Sequence, residues 1–324
     1  MFINLEEAKK LILEGRILHI AAEESLLNQL PKGKWIAGTT PYFITEQGGI
    51  TSKDKLFVNE ITDAVDFKTA VYDRSNIFDI TKDAFANGMT FLVMPFASDV
   101  AVFYAKEAPN VDDLFMNPVI GWISGYDLST GSSAKVYDGV TGTAYGDKAV
   151  ALHISLPDNK TASIGIVNIF SADNDDAVIE FKEDALSVTK CLVNGKETVF
   201  SDYITENKID TQLPLVADYN GVLINVSIKS VSKENKTVDF YAPVFSGKEY
   251  RFARPVDDYA ASFAEQLKGH KDVKPVFSCN CILNYLYGKL DGKATPPFAG
   301  PVTFGEIAYQ LLNQTLVYAE LIDK

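Results

Sequence analysis

Apolar residues recur along this chain at two spacings, and the switches between them divide it into helical and strand-like stretches. In the first 30 residues Leu5, Ala8, Leu11 and Ile12 fall at helical spacing, RILHIAA (16–22) forms a short apolar run, and EESLLNQL returns to a helical pattern. Beyond Pro31 the period changes. WIAGTTPYFIT, KLFVNEI and DFKTAVYD are rich in β-branched and aromatic residues and are separated by polar turns, which predicts strands. Residues 76–88 read as a helix that Asp79 or Thr81 caps, with Phe78 and Phe85 as its buried stripe and Asn87-Gly88 as its terminator. MTFLVMPF (89–96) has the length of a buried strand, and the amphipathic SDVAVFYAKEA follows it.

From Pro118 to Phe170 the pattern is β again, with a hairpin signal at Asp138-Gly139 and a second turn at Gly146-Asp147. SADNDD (171–176) is a polar, acidic break near the midpoint and marks a domain linker. Past it come a hairpin at Asn194-Gly195, a helix over DDYAASFAEQLKG, a strand KPVFSC and a final apolar stretch in which a helix starts at Ile307. The expected fold class is α/β of the mixed α+β kind, with layered mixed β-sheets and flanking helices in two linked halves. Its divisions are an N-terminal helical extension (1–30) and domains over 31–172 and 173–324.

Composition narrows the function. With 30 Lys+Arg against 43 Asp+Glu the net charge is −13, which repels phosphate backbones and anionic lipid, so nucleic acid is not an expected partner. The start MFINLEEAKKLILEG lacks the basic opening of a secretory signal, and no apolar run reaches the ~18–20 residues of a membrane span. A cytoplasmic protein without membrane insertion is expected. Cys191, Cys279 and Cys281 are odd in number and predict no disulfide framework.

The candidate chemistry lies at strand ends. IAGTT (36–40) and IGWISG (120–125) are both strand ends that run into glycine and a hydroxyl residue, so Gly38, Thr39, Thr40, Gly121 and Ser124 are candidates to face one cleft, with Tyr126 as a wall. Glu306 reads either as a pocket carboxylate for a ligand amine or as an acid in the first turn of a helix. Cys279-x-Cys281 offers two thiols, too few for a metal without further ligands, so no metal or cofactor is expected. No catalytic triad assembles, since His19 and His153 sit in apolar strands as structural residues and His270 falls in a Lys-rich turn at a helix end. The glycines of GVTGTAYG have no phosphate-loop spacing and are explained by hairpin turns.

Several of these segments resemble the FIST (F-box and intracellular signal transduction) domain family. PVIGWISGYDL with SAKVYDGVTGTAYGDKAVALHISL, WIAGTTPYFIT, LVNGKETVFSDYI, KPVFSC and GPVTFGEIAYQLLNQTLVYAEL are similar to its motifs and fall in its order over roughly residues 30–322. The resemblance implies sensing of a small molecule of amino-acid type between two halves, with output to a separate signalling protein. Two departures stand out: Trp122 replaces a glycine of the family's Ile-Gly-Gly segment and fills part of the cleft, and Asn280-Cys281-Ile282 stands where a Gly-Arg pair is common. Two further readings remain beside the sensor: a hydrolase or transferase using Cys279, and a structural or assembly protein whose cleft is closed by Trp122.

Overall fold

A strand that alternates β-branched or aromatic residues with small ones buries one face and leaves its backbone free to pair, and this sequence repeats that arrangement along most of its length. The structure, a computed structural model, describes residues 1–324. It is a mixed α+β fold with seven α-helices and about 41% of residues in strands. That strand share is well above the ~20–25% of an average domain, so the helices cover sheets rather than forming a core of their own.

The sheets are mixed because three strand–helix–strand units contribute parallel pairs. Leu18–Ala22 pairs in parallel with Trp35–Thr39 across the short helix Glu24–Leu27. Gly88–Pro95 pairs with Val119–Ser124 across the helix Asp99–Glu107, which Ser98 caps through its hydroxyl. Phe277–Cys281 pairs with Gly300–Thr303 across the helix Ile282–Tyr287. Antiparallel strands fill the spaces between these units. In one six-stranded sheet the order runs from Gln310–Leu312 through Glu306–Ala308, Val119–Ser124, Gly88–Pro95 and Ala149–Ser155 to Asp66–Tyr72. In another, Leu316–Asp323 lies between Lys160–Val167 and Phe277–Cys281.

These pairings change three sequence expectations. Residues 1–30 are not an appended helical segment, because Leu18–Ala22 sits between Trp35–Thr39 and Leu56–Glu60 in a sheet. The boundary expected at 172 runs through shared structure: strands from both sides of it share two sheets, and one cluster of buried apolar residues extends from Ala21 to Ala319. The helix expected from Ile307 is instead the strand pair Glu306–Ala308 and Gln310–Leu312, followed by Leu316–Asp323. Both faces of that region are buried, so a ladder to Ile120–Trp122 overrides its helical spacing.

The helix expected over 76–88 shrinks to a 3₁₀ turn at Ile77–Asp79 and one α-turn at Ile80–Asp83. Asn87 there donates from its side chain to the carbonyls of Leu156 and Pro157, which ties the segment to a neighbouring loop. Local turn chemistry held where expected. Asn194 and Gly195 both adopt positive φ, 49° and 79°, in the two-residue turn between Lys190–Val193 and Lys196–Val199. The helix Tyr259–Lys268 also forms, capped by Asp258.

Candidate functional site

The carboxyl ends of the parallel strands Leu18–Ala22 and Trp35–Thr39 open onto a cavity of about 380 Å³. Strand ends of this kind leave turn backbone and short polar side chains facing outward, which is why ligands collect there in open sheets. Glu23, Glu24, Ser25 and Asn28 follow the first strand, Thr39, Thr40 and Pro41 follow the second, and Gly125, Tyr126, Ser132 and Ser133 come from the segment after Val119–Ser124. The two glycine-bearing strand ends meet here. The Gly125 N–H donates to the Thr39 carbonyl at 2.8 Å, and the Thr39 hydroxyl donates to the Gly125 carbonyl at 2.7 Å.

The lining is rich in hydrogen-bond acceptors. Thr39 and Thr40 have committed their hydroxyl protons, to the carbonyls of Gly125 and Val302, and each hydroxyl oxygen also accepts one backbone N–H, from Lys135 at 2.9 Å and from Tyr42 at 3.2 Å, which leaves one lone pair on each. Glu24 is paired with Lys135 at 2.6 Å, and Asp127 at the rim is paired with Lys53 at 2.5 Å. Lys53 and the Ser129 hydroxyl hold the Asp127 carboxyl down at about 2. Glu23 makes no ion pair, and its Oε1 is buried without a hydrogen-bond partner. Burial raises the Glu23 carboxyl above its ordinary range; Lys53 opposes this, while Asp127 and Glu24 add to it.

Of the residues singled out in the sequence, Thr39, Thr40 and Tyr126 line this cavity, and Gly38, Gly121, Trp122, Ser124, Cys279 and Glu306 do not. The hollow expected between the glycine strands is filled. Trp122 is fully buried against Gly38, where an added Cβ would come within 2.7 Å of the indole, and its Nε1 donates to His19 Nε2 at 2.8 Å. Gly121 lies against the Leu92 backbone, and the Cys279 thiol points at the Gly121 carbonyl at 3.5 Å. Ser124 is buried with an unpartnered hydroxyl. Glu306, also fully buried, lies in a strand and is bonded by Thr303 and Thr315, so it neither caps a helix nor faces the cavity. Burial pushes its carboxyl up to about 8.

Sequence reasoning missed Glu23, Glu24 and Asn28, reading EESLLNQL only as a helix. The available signal was an acidic pair directly after an apolar strand. The histidines are structural: burial lowers His19 to about 3, and His153, lowered by burial to about 4, is held between the hydroxyls of Tyr72 and Thr90. His270 is bonded to the Tyr318 hydroxyl rather than free in solvent.

Cys279 cannot act as a nucleophile from this position. It is 1% exposed, and burial pushes its thiol well above the ordinary range. All three thiols are free and buried. Iodoacetamide at neutral pH is therefore expected to leave the folded protein unmodified and to alkylate all three cysteines in denaturant; rapid native labelling of Cys279, read by peptide mass, would contradict this placement.

The interleaved parallel units, with an acceptor-lined cavity at one set of strand ends, define a multi-sheet α+β protein. Residues 3–322 match the profile of one family, DUF6976, described as a family of unknown function, and the chain belongs to it. No FIST domain is matched, which overturns the family resemblance drawn from short motifs. Two of those motifs lie at buried, fold-forming places: Phe277-Ser278-Cys279 inside a strand, and Asn313-Gln314-Thr315 in a buried turn. No curated protein and no solved structure matches the chain significantly. No helix is long and apolar enough to cross a membrane.

Proposed function

We propose that this protein binds a small, donor-rich cation, an amine of amino-acid type, in the cavity at the ends of Leu18–Ala22 and Trp35–Thr39. One observation carries the reading: Glu23 is the cavity's carboxylate without an ion pair, its Oε1 buried and unpartnered, beside threonine hydroxyls that each keep a single lone pair. An ammonium group would neutralise Glu23 and donate to those oxygens together. The reading is binding because the lining carboxylates and hydroxyls suit the charge and the donors of such a cation. The three free, buried thiols fit a cytoplasmic setting, and occupancy would be passed on to a separate protein.

Calorimetry and thermal shift with amino acids, polyamines, amino sugars and amine-free carboxylic acids test this. Amines are expected to raise Tm, and a ligand at a hundred times its Kd adds about 2.7 kcal/mol of stability. Glu23→Gln is expected to weaken amine binding about 10- to 100-fold, the worth of one charge-assisted hydrogen bond. Equal affinity in wild type and Glu23→Gln would remove the proposal. A second reading, a structural protein without a ligand, draws on the indole of Trp122 filling the space between the strands. It is favoured if no amine shifts Tm.

A further inference from the structure

Beneath the cavity lies a buried polar junction that no ligand reaches. Glu306, in the strand Glu306–Ala308, has no accessible surface and no ion pair. Its Oε2 accepts from the Thr315 N–H at 3.2 Å and from the Thr315 hydroxyl at 2.8 Å. Its Oε1 lies 3.0 Å from the Thr303 hydroxyl, and that same hydroxyl lies 3.2 Å from the Asn280 carbonyl. A threonine hydroxyl has one proton, so it cannot donate to both oxygens at once. A neutral carboxylic acid resolves the conflict, since Glu306 then donates to Thr303 and Thr303 donates to Asn280.

The surroundings hold no cation that would neutralise a carboxylate, and the Thr315 and Thr303 donors offset its burial only in part. The titratable groups facing Glu306 are Cys279 and Cys281 from the strand Phe277–Cys281 and Tyr259 from the helix Tyr259–Lys268. All three are acids, and no lysine, arginine or histidine pairs with it. Removing the proton would place an unpaired charge in the interior, which proteins avoid by moving the group back to its neutral form or by opening.

We propose that Glu306 is a proton-dependent latch: as the neutral acid it closes the hydrogen-bonded junction of Thr303, Thr315 and Asn280, and its ionisation releases that junction. Thr303 directly follows Val302, whose carbonyl accepts the Thr40 hydroxyl at 2.7 Å on the cavity wall. The latch therefore also governs cavity shape, and this step rests on the ligand-binding reading above. The carboxyl value of about 8, against an ordinary 4.5, sets the window. A folded form that keeps a proton the unfolded chain has released is stabilised fully below the ordinary value and loses that stability as pH rises through the folded value. His19 and His153, lowered by burial, act on the acid side of that window.

The test follows Tm of wild type and Glu306→Gln between about pH 6 and 9, without ligand. The amide is a neutral isostere that can donate to Thr303. Wild type is expected to lose Tm progressively from pH 6 to about pH 8, and Glu306→Gln to lose markedly less over that range; parallel slopes overturn the latch. Should Glu306→Gln not fold, hydrogen exchange of the Thr315 amide in wild type is read instead, corrected for intrinsic base catalysis. Loss of protection through about pH 8 supports the latch, and unchanged protection overturns it. For the cavity, amine affinity is measured at both pH limits in both proteins. A loss of affinity in wild type that exceeds the loss in Glu306→Gln supports the coupling, and equal losses overturn it. Absence of amine binding at any pH overturns the ligand-binding reading and this coupling, while the latch is judged on Tm alone.

Discussion

Trp122→Ala is expected to lose about 3–5 kcal/mol of folding stability, the usual cost of removing a fully buried large aromatic side chain. Trp122 is buried completely between strands, with Gly38 leaving room for its ring. The cost has two parts that a second variant separates. Trp122→Phe keeps most of the volume but removes the indole N–H, leaving His19 Nε2 buried without its donor. That variant is expected to lose about 1–3 kcal/mol, the penalty for an unpaired buried acceptor. Urea unfolding monitored by circular dichroism reads both variants. A loss below about 1.5 kcal/mol for Trp122→Ala would mean that the indole is not the filler of the inter-strand space.

Gly121→Val is expected to prevent folding under ordinary conditions. Gly121 lies opposite Leu92 in the parallel pair, and a Cβ built on it would stand 1.7 Å from the Leu92 carbonyl oxygen and 2.7 Å from its carbonyl carbon. Those atoms are backbone, so no rotamer change relieves the clash, and the strand would have to leave its partner. The strand is central, with Glu306–Ala308 on its other edge. Recovery of soluble Gly121→Val with wild-type Tm would show that this close approach is not required. Gly195→Ala is a control for the general effect of losing glycine, since nothing lies within 4 Å of a Cβ there and only its φ of 79° is strained.

Much of the fold was readable because local signals and tertiary packing agree. The strand over residues 89–96, the helix that follows it, the hairpin at Asn194-Gly195 and the helix over 257–269 each carry their own pattern. The C-terminal stretch from Ile307 was not readable. Its apolar spacing suits a helix, but burial on both faces makes it a set of strands, and burial depends on neighbours distant in sequence. The candidate site divides in the same way. Thr39 and Thr40 were legible as polar residues at a strand end, and the meeting of the two glycine-bearing ends was anticipated. That Trp122, Cys279 and Glu306 point into packed interior was not, because a sequence fixes which residues neighbour a strand end but not which face each side chain takes.

The interleaved sheets also bear on how the chain assembles. Lys160–Val167 finds its partner in Leu316–Asp323, and Val119–Ser124 finds one of its two in Glu306–Ala308. During synthesis both must wait, with open edges, until residues 306–323 have left the ribosome. Contacts so distant along the chain make folding slow, and a waiting edge is the place where a wrong strand attaches. The nascent chain therefore carries two unpaired strand edges through most of the synthesis of these residues.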